Sequence, residues 1–141
     1  MEVFLDYLAE VNWLTVLVAA FVAFFVGSIW YMKQLFGSRW QKEIKLSDKD
    51  IKKANMPKLM LISFITVVIS AVALAILIQV LVLDTALQGA LLGVMVAVGI
   101  IATNKLMQVQ YEQRSWTYWF IVAGYDVVAY ALMGAILAIW Q

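Results

Sequence analysis

The chain has 141 residues, of which 65% are apolar and 13% charged, with a formal net charge of +1. Soluble domains are about 45–50% apolar and about 25% charged, so this composition excludes an ordinary soluble globule, and its hydrophobicity excludes a disordered chain. The absence of Cys and His removes disulfides, thiol nucleophiles, thiolate metal sites and His-based catalysis from the range of functions. An integral membrane protein remains.

In chain order, the first element is an acidic leader (Glu2, Asp6, Glu10) followed by an uncharged run over residues 11–32. A signal peptide has a basic leader and a shorter apolar stretch, so the run is expected to stay as a span. Residues 33–58 form the one substantial loop. Within it, Ser47 with Asp50 has the form of a helix start, predicting a short amphipathic helix over about residues 47–55, and Pro57 suits the first turn of the helix that follows. A second uncharged run covers residues 59–83, and only Asp84 separates it from a third over 85–104. So short a link predicts a helical hairpin, with Asp84 or Thr85 capping the third helix. Gln79 and Gln88 flank this hairpin and are expected to be hydrated. The fourth run, residues 115–140, carries a single charge, Asp126.

A hydrocarbon core about 30 Å thick takes roughly 20 helical residues. Without the alternation of a membrane barrel, and with every backbone group needing a partner inside lipid, the runs predict helical spans over about 11–32, 59–83, 85–107 and 116–140. The expected fold is a single all-α membrane domain, residues 1–141: an antiparallel four-helix bundle with a short amphipathic helix in its first cytoplasmic loop.

All ten Lys and Arg fall in the 33–58 loop and the link between the third and fourth spans, on one side of this topology, while Glu2, Asp6, Glu10 and Asp84 lie on the other. The basic side is cytoplasmic by the positive-inside rule, so both termini are expected to be extracytoplasmic. The same cations are read as topology signals and not as a headgroup-binding site. Trp30, Tyr31, Trp40, Trp116, Tyr118, Trp119 and Trp140 lie near span ends and read as interfacial anchors.

Each span also carries one stripe of small residues of the kind that packs helices in lipid: Ala19, Ala23 and Gly27; Ser63, Thr66, Ser70 and Ala73; Gly89, Gly93 and Ala97; Gly134 and Ala138.

The motifs resemble a known family. Gly27-Ser28-Ile29-Trp30-Tyr31, then Leu35-Phe36-Gly37 and Trp40, are joined by Lys52-Lys53-Ala54-Asn55-Met56, Gly89-Ala90-Leu91-Leu92-Gly93, Glu112 with Arg114, Ala123-Gly124-Tyr125 and Met133-Gly134-Ala135-Ile136. Together they are similar to the bacterial domain-of-unknown-function family 1761, over about residues 12–140. The resemblance implies four spans and supplies no activity. Family members often carry Ser-Pro after the Trp-Tyr pair; Met32-Lys33 stands here instead, implying that a longer first helix replaces the turn.

Asp126 is the sharpest chemical feature. It lies about 15 Å along the fourth span, where a charge is costly and faces protein or water. Three roles are open to it: a protonated, hydrogen-bonded carboxyl; a partner for Lys105; or a coupling carboxylate for proton or cation transport. The candidate intramembrane polar site therefore comprises Asp126, Lys105, Asn104, Tyr125 and Tyr130, with Asn104 expected to bond a neighbouring helix, and Gly27, Gly89, Gly93 and Gly134 as packing positions. No second carboxylate or metal-ligand cluster accompanies Asp126, and no glycine-rich phosphate loop or nucleophile–base pair is visible, so no metal, other cofactor, nucleic acid or enzymatic activity is expected. The expected protein is a non-enzymatic accessory or scaffold subunit in the bacterial inner membrane, with the lipid bilayer, copies of itself or other membrane proteins as partners. The alternative is a small oligomeric proton-coupled transporter or channel using Asp126.

Overall fold

Inside lipid a helix satisfies its own backbone along its length, leaving its first four N–H groups to find other partners. The four long helices of this chain all begin at a side-chain cap. In the computed structural model, which describes residues Met1–Gln141, Asn12 Oδ1 accepts from Thr15 N–H at the start of α2 (Trp13–Trp30), and Asn55 Oδ1 from Lys58 N–H at the start of α5 (Met56–Val80). Thr85 and Gln88 form a reciprocal box ahead of α6 (Ala86–Val96), and Ser115 accepts from Tyr118 N–H ahead of α8 (Trp116–Ile139). Shorter helices are α1 (Glu2–Ala9), α3 (Gly37–Glu43), α4 (Asp48–Lys53) and α7 (Thr103–Tyr111). The fold is all-helical, and α2, α5, the Ala86–Tyr111 rod and α8 are each long and apolar enough to cross a membrane.

The predicted loop helix is α4, capped reciprocally by Ser47 and Asp50. The expected longer first helix is not formed. α2 stops at Trp30, and the chain folds back so that Phe36 N–H reaches Trp30 O and Gly37 N–H reaches Met32 O. A Cβ at position 37 would run into the Tyr31 carbonyl, so Leu35-Phe36-Gly37 makes the turn that a longer helix was expected to replace. The Trp30 and Phe36 rings lie 4.5 Å apart, and Tyr31 meets Trp40 edge-on at 5.5 Å. Ser115 Oγ donates to Glu43 Oε2 at 2.5 Å, tying α3 to the start of α8. Ser115 and Arg39 hold the exposed-side Glu43 carboxyl below its ordinary range. The 33–58 loop and the α7–α8 link thus share one end of the bundle, here called the basic end.

At the opposite end, Thr85 is the cap and Asp84 is not. Gln88 is exposed, as expected, with its Oε1 engaged in the Thr85 box, whereas Gln79 is half-buried with its Nε2 donating to Glu10 O and is not simply hydrated. The hairpin link takes Leu81–Thr85 rather than one residue. Its second position, Val82, has φ 53, and the helix closes with Val82 N–H on Gln79 O and Leu83 N–H on Ile78 O. This is the left-handed closure that usually carries Gly.

α8 is the central helix: 44% of its most apolar stretch is buried, against 22% for α5, and it packs on α2, α5, α6 and α7. Gly89 and Gly134 face each other so closely that a Cβ on either would overlap the other's carbonyl, and Gly93 sits against the Tyr130 carbonyl. The second-span stripe of Ser63, Thr66, Ser70 and Ala73 is not the packing face that its spacing predicts. α5 packs through Ala71, Leu74, Ala75 and Ile78; between Met56 and Ser70 it fully buries nothing, and Phe64, Val67 and Val68 are only half-buried against the core. It therefore packs tightly on the bundle at the termini end and more loosely toward the basic end.

A left-handed conformation costs an L-residue about 1–2 kcal/mol, and Val82 is 82% exposed, so its side chain contributes little packing in return. Val82→Gly is expected to stabilise the protein by about 1 kcal/mol, read as a rise in melting temperature in mild detergent; a fall would mean that Val82 restrains the unfolded chain more than it strains the folded one.

Candidate functional site

The site is built where α8 faces α2 on one side and the third span on the other. On the α2 side, Trp30 lies over Gly124 and donates through Nε1 to Ile121 O at 2.9 Å, while Tyr125 lies over Gly27 and donates through its hydroxyl to Ala23 O at 3.1 Å. Each helix contributes an aromatic ring, and the other contributes the glycine beneath it and the carbonyl that the ring reaches. Trp30, at the span end where an anchor was expected, is therefore also an interhelical clasp. Trp119 bridges helices in the same way, donating through Nε1 to Ala102 O on the third span.

On the other side, Lys105 Nζ meets Asp126 Oδ2 at 2.5 Å, with the Asp126 side chain 10% exposed and that of Lys105 35%. The third span brings this lysine round by an irregularity that its sequence spacing did not reveal. Ala97–Ala102 is a π-helical segment between α6 and α7. Up to that point the face toward α8 is Gly89, Gly93 and Ala97, at intervals of four. Beyond it the buried positions are Ala102 and Val109, so the interval from Ala97 is five. An unbroken α-helix would bring Asn104 onto this face; the wide turn brings Lys105 instead. The turn is braced by Thr103 Oγ1, which donates to Gly99 O and Ile100 O, and by Trp119 on Ala102 O. Wide turns of this kind occur often at functional sites.

Asn104 is consequently turned outward. It is exposed and bonds no group within the chain, contrary to the expectation that it would bond a neighbouring helix of this bundle. Gly99, also exposed, has open space where a Cβ would stand.

Two joined cavities lie beside the ion pair. The inner one, about 180 Å³, is lined by Thr66, Ser70, Asp126 and Tyr130 among others; the outer one, about 560 Å³, runs between α2 and α5 toward the basic end, and the two share Thr66, Val67 and Tyr125. The structure thus brings Asp126, Lys105, Tyr125 and Tyr130 together and leaves Asn104 out. Thr66 and Ser70, read from the sequence as packing residues, line the cavity beside Asp126.

Four membrane-length helices with an ion pair between the last two define a multi-pass α-helical membrane protein. The chain belongs to the family described as Protein of unknown function (DUF1761), which matches residues 14–138. No curated protein and no solved structure matches it. The stretches that carry the resemblance most specifically, Gly27 to Trp40 and Ala123-Gly124-Tyr125, contain the rings and glycines of the aromatic clasp.

The unequal exposure of the pair predicts unequal single-mutant costs. Lys105→Met strands a carboxylate on a short side chain and is expected to cost about 3 kcal/mol or more. Asp126→Asn leaves a lysine that extends to the interface and is expected to cost about 1 kcal/mol. The double variant is expected to melt above Lys105→Met alone, and a reversed ranking of the single variants would place the desolvation burden on Lys105.

Deleting one residue from the π-helical segment restores an interval of four between Ala97 and Ala102, which keeps Lys105 on the α8 face. Deletion of Gly99 is therefore expected to preserve the coupling between positions 105 and 126 in a double-mutant cycle. Deleting Ile100 as well rotates Lys105 by about 100° and is expected to abolish it. Loss of coupling in the single deletion would show that the wide turn itself, and not the register it sets, forms the pair.

Proposed function

We propose that this protein is a non-enzymatic accessory or scaffold component of the bacterial cytoplasmic membrane that acts by associating with other membrane helices, a second copy of itself being the first partner to test. The observation that supports this most is Asn104: an exposed amide on the third span, five residues beyond the exposed Gly99, without a hydrogen-bond partner in its own chain. Polar side chains at such positions join helices in lipid, each bond contributing about 0.6–2 kcal/mol, and an exposed glycine lets a second backbone approach. Because the chain has no native Cys, Gly99→Cys is a clean reporter. Its crosslinking to an identical chain in native membranes is expected, with a loss of about fivefold or more in yield when Asn104→Leu is added. Monomers that never crosslink in native membranes would overturn self-association.

We further propose that the basic end faces the cytoplasm, so that both termini lie outside it. The support is the segregation of all ten cations to that end. In intact cells an impermeant thiol reagent is expected to label a Cys added after Gln141 and to spare one at Ser38; the opposite pattern would reverse the orientation.

A second reading, a small proton-coupled transporter or channel, is favoured by one feature: Asp126 lines a cavity that opens into the α2–α5 cleft. Ligand-linked proton release that vanishes in Asp126→Asn would support it over the accessory reading. We favour the accessory reading because Lys105 already neutralises Asp126 at contact distance.

A further inference from the structure

The cleft between α2 and α5 changes chemistry along its length. Its outer part has apolar walls, including Phe24, Leu59, Met60 and Val67. It is open sideways along α5, which fully buries no residue from Met56 to Ser70, and its lining runs from Thr66 and Val67 within the spans out to Tyr31, Trp40 and Met56 at the basic end, so a chain lying in the bilayer can enter it from the side. Its combined size falls in the range of pockets that hold small ligands.

The inner end is rich in acceptors. Thr66 Oγ1 already donates to Ser63 O at 2.7 Å, and Ser70 Oγ to Thr66 O at 3.1 Å. Each hydroxyl hydrogen is engaged, and each oxygen keeps its lone pairs. Asp126 gives Oδ2 to Lys105, while Oδ1 accepts no hydrogen bond within the chain. The Tyr125 hydroxyl hydrogen is engaged on Ala23 O. Tyr130, which also lines this end and whose hydroxyl bonds no group within the chain, can donate; the open acceptors outnumber it, so a ligand group that completes this end both donates and accepts, as a hydroxyl does.

It must also be neutral. Lys105 balances the charge of Asp126, so an ammonium bound here would leave an uncompensated positive charge in the membrane interior, where such charges are costly. A hydroxyl supplies the donor without the charge.

We propose that the cleft binds a neutral long-chain alcohol taken laterally from the bilayer, its hydroxyl among Thr66, Ser70 and Asp126 and its hydrocarbon chain along the outer walls. This goes beyond the association reading and is independent of it.

The test uses the full-length protein in phosphatidylcholine nanodiscs and a dodecan-1-ol probe with a photoactivatable diazirine in its chain. Labelling is expected on α5 between Leu59 and Val67 and on the facing part of α2. Unlabelled dodecan-1-ol is expected to compete about tenfold better than methyl dodecyl ether, the difference one donated hydrogen bond to a charged acceptor makes. The variant Thr66→Val with Ser70→Ala preserves side-chain bulk closely and removes the two aliphatic hydroxyl acceptors. It is expected to keep the wild-type melting temperature while the advantage of the alcohol over the ether shrinks. Equal competition by alcohol and ether would overturn the proposal in favour of a cleft for lipid tails alone, and stronger competition by dodecylamine would overturn it in favour of a cation site. Labelling scattered over all lipid-facing helices would show that no site exists.

Discussion

The architecture depends on how closely α8 approaches its neighbours. In lipid there is no hydrophobic gain from bringing two apolar helices together, so association rests on van der Waals contact and on hydrogen bonds that have no water to compete with them. α8 uses both. Against α6 it brings Gly134 onto Gly89 and the Tyr130 carbonyl onto Gly93, where a methyl group would overlap backbone atoms. Against α2 the glycines serve a different purpose: Gly27 and Gly124 each make room for a ring from the other helix, and that ring's polar atom reaches a carbonyl one turn away. The first contact contributes dispersion, and the second fixes rotation and register. Sliding α2 along α8 by one turn would lose both hydrogen bonds of the clasp together.

The ion pair depends on this frame and on the π-helical segment. With α6 held against α8 by glycine contacts, the rotation of the third span is set before Ala97. What reaches α8 beyond that point is decided by whether the next interval is four residues or five. One extra residue in the turn exchanges an amide for an ammonium opposite Asp126 and sends the amide outward. A single local irregularity thus governs two features at once: a neutral, internally paired bundle and a polar group left on its surface.

How much of this was legible in the sequence follows from the range of the interactions involved. Span number and the side on which the charges fall are readable because they depend on runs of residue type alone. The glycine stripe of the third span is readable because its spacing of four matches an unbroken helix up to Ala97. The register beyond Ala97 is not, since nothing in Val98-Gly99-Ile100-Ile101 announces a wide turn. The hydroxyl stripe of α5 misled for a different reason. Ser63, Thr66 and Ser70 have the size and spacing of a packing face, but Thr66 and Ser70 bond back to their own helix, which supplies their partners without a neighbour. Trp30 and Trp119 sit at span ends like ordinary anchors; only the helix opposite shows that their indole N–H groups are engaged with protein.

α5 differs from the other three spans in how it is held. Its buried residues all lie in the half nearer the termini, and toward the basic end its main link to α2 is a cluster of rings, Phe64 with Phe21 at 4.8 Å and Phe24 at 5.7 Å. Ring contacts of this kind fix distance more loosely than the backbone contacts between α6 and α8, because a ring can turn while staying in contact. The bundle therefore divides mechanically into α2, the third span and α8, joined by close contacts and aimed hydrogen bonds, and α5, joined firmly at one end only. Regions with few buried contacts open at the lowest free-energy cost. The cleft beside Asp126 lies along that weak seam, so its width is the dimension of this fold most easily changed without disturbing the clasp or the ion pair.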